Sequence, residues 1–386
     1  MSDSLRDKVC IVGIGATAYS RSSGRSELSL AVEAVHRAVE DAGLAVKDID
    51  GLLRFEVERV TEPDLAASLG LSNLPFFGEL GPLGSAACGL VGYAAMAIVC
   101  GMANHVVIYR SLNGRTAQRF GAGAFSRGGV GNAAFWEPYG LLVPGQWAAL
   151  AARRHMHQYG TTSRQLGAVA VALRKHACMN PRAVMHGKPI TIEDHQACRM
   201  VHDPLRLLDC CLETDGACAI VVASAERART LKQRPVYVRA VAQNVVAGGR
   251  PRHVYAETAA YELAEASAKY MAPRLYRTAG VTPQDIDCIQ LYDPFTCSVI
   301  FELEAYGFCK QGEGGPFVEA GNIEGPHGSL PVNTAGGNMS EVYLQGLNHI
   351  VEAVRQLRGV STCQVPDCEL VQCDSGGCVG GLILRR

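Results

Sequence analysis

The chain has 386 residues, 48% apolar and 19% charged, enough for large cores and two domains at an ordinary composition for a soluble globular chain. A formal net charge of -1, with no basic block or stripe, gives nucleic-acid binding no electrostatic support. The polar start Met1-Ser2-Asp3-Ser4-Leu5-Arg6-Asp7-Lys8 reads as neither signal peptide nor anchor, and no apolar stretch is long enough to span a bilayer. Fifteen cysteines in such a chain read as reduced, mostly buried thiols, which fits a cytoplasmic protein.

Val9-Cys10-Ile11-Val12-Gly13-Ile14 predicts a buried strand. The following Gly13-Ile14-Gly15-Ala16-Thr17-Ala18 lacks the third glycine of a dinucleotide loop, and residues 19–25 are too polar and irregular to open a helix, so a structural turn is expected. Leu28, Ala31, Val32, Val35, Val39 and Ala42 mark one helix face, with Ser26 as N-cap and Gly43 as stop. Residues 86–101 read as a small-residue helix suited to close packing between sheets, and His105-Val106-Val107-Ile108-Tyr109 as the next strand. Residues 112 to about 212 break the rhythm and read as an insertion; its glycine-rich opening, residues 121–131, predicts a loop lining a tunnel or an interface. Strand character resumes at Val236-Tyr237-Val238-Arg239-Ala240-Val241. A second helix carries Ala268, Ala272, Leu275, Tyr276 and Ala279, is interrupted by Pro273 and ends at Gly280. Residues 341–357 predict a late helix and Glu369-Leu370-Val371-Gln372 a late strand.

Two of these units repeat. Ala42-Gly43-Leu44-Ala45-Val46-Lys47-Asp48-Ile49-Asp50-Gly51 matches Ala279-Gly280-Val281-Thr282-Pro283-Gln284-Asp285-Ile286-Asp287-Cys288 at one constant offset through helix, turn and strand. Strand–helix alternation with an internal duplication predicts an α/β architecture, with an N-terminal half at 1–232 holding the insertion at about 112–212 and a C-terminal half at 233–386.

Five motifs carry chemistry. Tyr292 stands in Leu291-Tyr292-Asp293-Pro294-Phe295-Thr296, and Tyr343 ends Asn333-Thr334-Ala335-Gly336-Gly337-Asn338-Met339-Ser340-Glu341-Val342-Tyr343. Cys373 opens Cys373-Asp374-Ser375-Gly376-Gly377, Cys88 stands in Gly84-Ser85-Ala86-Ala87-Cys88-Gly89, and His327 in Gly325-Pro326-His327-Gly328. Cys363, Cys368, Cys373 and Cys378 recur every five residues, a spacing that faces opposite sides of a strand, so no metal site is expected. No Gly-x-Ser-x-Gly elbow is present.

These motifs, with Met156-His157-Gln158-Tyr159-Gly160-Thr161-Thr162 and Thr214-Asp215-Gly216-Ala217-Cys218-Ala219, resemble the thiolase superfamily over nearly the whole chain. Within it they are most similar to the lipid-transfer-protein-like branch and its steroid side-chain aldolases, whose two active-site tyrosines match Tyr292 and Tyr343. The resemblance implies a thiolase fold, two duplicated βαβαβαββ halves in an α/β/α/β/α layering. It implies retro-aldol cleavage of a β-hydroxyacyl-CoA by a tyrosine acid/base pair, with a coenzyme A thioester as substrate and no bound cofactor or metal. It also implies a homodimer and a small zinc-ribbon/OB-fold partner protein. Asp293 is expected to orient Tyr292 or cap the following helix, His327 and Cys373 to support the site, and Gly84, Gly336 and Gly337 to bind substrate or an oxyanion. A non-catalytic acyl-CoA carrier, and a thiolase or acyltransferase using Cys88 or Cys373, are the competing expectations.

Overall fold

The computed structural model describes residues 5–81, 86–117, 119, 137–244, 263–376 and 380–386. Gly84, Cys378 and the glycine-rich stretch 121–131 lie outside them. The N-terminal half runs β1 (Val9–Ala16), α1 (Glu27–Ala42), β2 (Gly51–Phe55), α2 (Glu62–Leu69), β3 (Phe76–Leu80), α3 (Ala87–Val99) and β4 (His105–Asn113). The insertion follows as α4 (Pro144–Tyr159), α5 (Ser163–Met179), α6 (Ile192–Ala197), β5 (Met200–His202) and β6 (Leu205–Arg206), and β7 (Asp215–Ser224) and α7 (Ala225–Ala228) close the half. The C-terminal half runs β8 (Val236–Ala242), α8 (Leu263–Ala279), β9 (Cys288–Gln290), α9 (Thr296–Ala305), α10 (Gly314–Glu319), α11 (Gly337–Ser340), α12 (Leu347–Arg358), β10 (Leu370–Asp374) and β11 (Gly381–Arg385).

Nine strands form one mixed sheet in the order β3-β2-β4-β7-β1-β8-β11-β10-β9. The halves join where β1 meets β8 through Cys10↔Tyr237 and Ile11↔Val236. Strands of both halves press one face on α3 and α12, which become the central layer; Leu90, Val91, Ile350 and Val354 share a cluster with Ile108, Ile220, Val371 and Leu384. Each such aliphatic side chain taken from water contributes about 1.5–3 kcal/mol. On the other face, α1 buries Leu30, Ala34, Val35 and Ala38 against β1 and β7, and α8 covers β8 and β11.

The duplication is visible bond by bond. The helix caps Gly43 and Gly280, the turns Val46–Asp48 and Pro283–Asp285, and the strand starts Gly51 and Cys288 are each separated by 237 positions. Asp48 accepts from the Ala45 amide at 2.9 Å and Asp285 from the Thr282 amide at 2.7 Å. Asp50 takes the Asn104 and His105 amides at the start of β4, as Asp287 takes those of Glu369 and Leu370 at the start of β10.

Three expectations are refined. Gly13 and Gly15 lie inside β1 rather than in a turn. A Cβ on either would stand 2.1 Å from a carbonyl of α1, so the glycines let the helix backbone rest directly on the strand. Helix α8 runs on through Pro273 instead of breaking there. The helix expected from 341 starts at Leu347, because Gln345 and Gly346 take left-handed φ values of 55° and 91° and turn the chain first. That turn presents Tyr343.

Candidate active site

The two tyrosine segments are laced to each other. Past the end of β9, the Leu291 amide donates to Asn333 Oδ1 at 2.7 Å and Asn333 Nδ2 donates to the Leu291 carbonyl at 2.9 Å. One side-chain amide thus completes both backbone groups next to Tyr292, a local substitute for a strand ladder. Two residues on, the buried Asp293 carboxylate accepts from the Asn338 amide at 2.9 Å and the Met339 amide at 3.3 Å. It caps α11, in the other segment, rather than the following helix α9, whose N-cap Phe295 has no side-chain bond. His349 Nε2, on α12, lies 3.0 Å from Asp293 Oδ1. Despite that distance, the nitrogen makes no hydrogen bond.

Gly336 and Gly337 serve this lacing. Their φ values are 107° and 61°; a Cβ on Gly337 would stand 2.3 Å from Asp293 Oδ2, and one on Gly336 2.6 Å from Ala177 Cβ on α5. Neither lines the cavity described below, and Gly84 lies outside the described residues. A third tie runs to the insertion: Thr296 Oγ1 donates to Asp209 Oδ1 at 2.6 Å, and His195 Nε2 sits 2.8 Å from the same oxygen.

Within this frame Tyr292 Oη and Tyr343 Oη stand 2.7 Å apart, with the rings tilted by 55°. The Tyr343 amide donates to Thr214 Oγ1 at 3.0 Å. A Cβ on Gly376 would lie 2.8 Å from Tyr292 Cδ1, so this glycine leaves room for the Tyr292 ring. Tyr292 keeps part of its surface open to the cavity while its hydroxyl is enclosed. Burial pushes that hydroxyl well above the ordinary tyrosine value, and Tyr343 adds to the rise. Nearby, Asp374 is pushed up to about 6 by burial, against the pull of bonds from Tyr306 Oη and the Gly376 amide, each at 2.6 Å.

Both tyrosines line a cavity of about 560 Å³. Its walls mix apolar side chains, among them Leu112, Val143, Leu208 and Phe295, with seven arginines: Arg21, Arg59, Arg110, Arg115, Arg119, Arg174 and Arg199. Arg110 is held by Glu58 Oε2 at 2.9 Å and Gln345 Oε1 at 2.6 Å. His327 is exposed and does not line the cavity. Cys88 and Cys373 do not line it either; both are fully buried in the cluster around α3 and α12, and burial raises both thiols far above a reactive range. Among the described residues, no three His, Cys, Asp or Glu side chains gather as a metal site, and the fourteen described cysteines are free thiols.

The Thiolase C-terminal domain-like family matches residues 252–381. The chain is 47% identical to the 17-hydroxy-3-oxo-4-pregnene-20-carboxyl-CoA lyase of Mycobacterium tuberculosis, over 98% of this chain and all of that one. The chain belongs to the thiolase superfamily, in its branch of side-chain-cleaving lyases. A steroid side-chain-cleaving aldolase of Thermomonospora curvata is 45% identical over 97% of each chain. The solved structure of the Ltp2-ChsH2(DUF35) aldolase superposes with a TM-score of 0.91 at 43% identity, covering 99% of this chain and 98% of that chain. The name of that aldolase joins two components. Among the described residues no helix is long and apolar enough to cross a membrane.

Residue-type patterns left three residues of this thiolase-like site unassigned. The clamp role of Asn333 depends on its left-handed φ of 50°. Asp209 binds Thr296 across 87 positions of chain. The available signal for His349 is the unusual run of polar residues on the buried helix α12, where Asn348, His349, Glu352 and Gln356 are all enclosed.

Proposed function

We propose that this chain cleaves a β-hydroxyacyl-CoA by a retro-aldol reaction, with a steroid side-chain thioester as substrate and Tyr292 and Tyr343 as the acid/base pair. The observation that carries the reading is the 2.7 Å contact between the two tyrosine hydroxyls on the wall of a cavity that neither Cys88 nor Cys373 reaches. One tyrosinate takes the β-hydroxyl proton. The C–O bond becomes a ketone, the Cα–Cβ bond breaks, and its electron pair moves into the thioester enolate. The other tyrosine returns a proton to Cα. Because the hydroxyls are hydrogen-bonded, the proton gained by one can pass to the other, which resets the pair. The step is redox-neutral and needs no resident cofactor. The apolar walls suit a fused-ring hydrocarbon, and the arginines suit the phosphates of coenzyme A.

The base form is the minor species. With the Tyr292 hydroxyl pushed above its ordinary value, less of it is ionised at neutral pH, so the single-turnover rate is expected to rise about tenfold per pH unit through the alkaline range if it is the base. A rate independent of pH from 7 to 9 would remove tyrosine ionisation from the rate-determining step. In the competing acyl-transfer chemistry a cysteine carries the acyl group. Cys88→Ala and Cys373→Ala are expected to retain cleavage, with no acyl mass added to either thiol of the parent protein; a stable adduct would restore that chemistry.

The partner proposed here is a small zinc-ribbon/OB-fold protein. We also propose a homodimer. β3 ends the sheet with Phe77 64% exposed, and Tyr93, Met96 and Val99 form an exposed apolar stripe on the adjacent α3. The decisive experiment incubates the protein, with and without that partner, with a β-hydroxyacyl-CoA whose β-carbon is a steroid ring carbon. A ketone and a shortened acyl-CoA detected by mass spectrometry support the reading. Bound but unchanged substrate in both arms would make the chain a carrier.

A further inference from the structure

On the insertion side of the cavity, α9 packs against α4 and α5, with Cys297 Sγ set against the Ala148 carbonyl at 3.9 Å. The next residue, Ser298, is 4% exposed, lines the cavity, and its Oγ has no hydrogen-bond partner. The apolar residues Pro144, Ala170 and Phe295 line the same space. Buried hydroxyls are nearly always paired, so one left open inside a cavity points to a group that arrives with the ligand. Glu302, one turn further along the same helix face, also lines the cavity and is enclosed. This face of α9 thus presents two polar side chains along the cavity.

We infer that Ser298 is a specificity-determining residue, whose hydroxyl donates to an oxygen substituent on the fused-ring part of the acyl group, remote from the thioester. The inference rests on the proposed aldolase reading for its substrate class. A ketone or a ring hydroxyl can accept this bond; a plain hydrocarbon ring cannot, and its binding would leave the serine hydroxyl buried and unpaired. Ser298 touches neither tyrosine hydroxyl, so its contribution is to binding and selection rather than to proton transfer.

The test uses the partnered protein and three β-hydroxyacyl-CoA thioesters that differ at one remote ring position: ketone, hydroxyl or hydrogen. The parent protein is expected to favour the oxygenated thioesters by about tenfold or more in kcat/KM. Ser298→Ala should erase that preference through KM, with the deoxy substrate bound as well or better, and Ser298→Thr, which keeps a hydroxyl, should retain part of the preference. Comparison of the ketone and hydroxyl arms tells which oxygen is selected. An equal fall on all three substrates in Ser298→Ala, or an unchanged preference, would overturn the inference. Dissociation constants of the same thioesters separate the two readings: if no substrate is cleaved the aldolase reading fails, while a Ser298-dependent preference in binding would still stand.

Discussion

Tyr343→Phe is expected to lower the single-turnover cleavage rate by about 10²- to 10⁴-fold while leaving acyl-CoA binding within a few-fold. The ring keeps its place, because the Tyr343 backbone is held by Thr214 and the side chain is 94% enclosed, so only the hydroxyl is lost. Tyr292→Phe should give a loss of similar size. The informative quantity is the double variant. Two hydroxyls 2.7 Å apart that pass one proton between them act as a unit, so removing both should cost little more than removing one. Stopped-flow or quench measurement of ketone formation in the three variants checks this. Full activity in both single variants would end the acid/base assignment, and strictly multiplicative losses would mean that the two hydroxyls work independently.

The largest effect on stability is expected at Asp293. Asp293→Ala should destabilise the fold by about 3–5 kcal/mol, because it removes the acceptor of two buried amides and leaves His349 without its nearest carboxylate. Asp293→Asn should cost less: one oxygen remains for an amide, but the charge opposite His349 is gone. Chemical denaturation at neutral pH measures both. A loss under about 1 kcal/mol for the alanine variant would mean that water or a shifted neighbour satisfies the amides, and that the lacing of the two tyrosine segments has another origin.

Local order reveals much of this architecture. The duplicated helix, turn and strand can be read at one offset because each copy fixes its own geometry with a left-handed glycine and an aspartate that bonds its own turn. The tyrosine pair can be read because both residues stand inside recognisable motifs. What stays hidden is where side chains go after the chain has folded. Asp293 next to a helix start invites assignment as that helix's cap, yet it reaches a different helix 45 positions on. The glycine pair suggests backbone donors aimed at a substrate, and instead makes space for Asp293 and α5. His327 follows a turn near the Gly-Gly segment in sequence and still ends on the outer surface. The turn before α12 escapes a periodicity argument, since helical spacing continues unbroken through residues that adopt left-handed φ.

Both tyrosines come from the C-terminal half, whereas α4, α5 and the β5–β6 hairpin, which wall much of the cavity, belong to the stretch between β4 and β7. The proton relay and much of the cavity wall are therefore written on separable lengths of chain, while Ser298, on α9, stays with the tyrosines. Recombination between relatives within that stretch can change which molecule is admitted without rewriting the proton relay, provided that the Asp209–Thr296 seam is carried across intact.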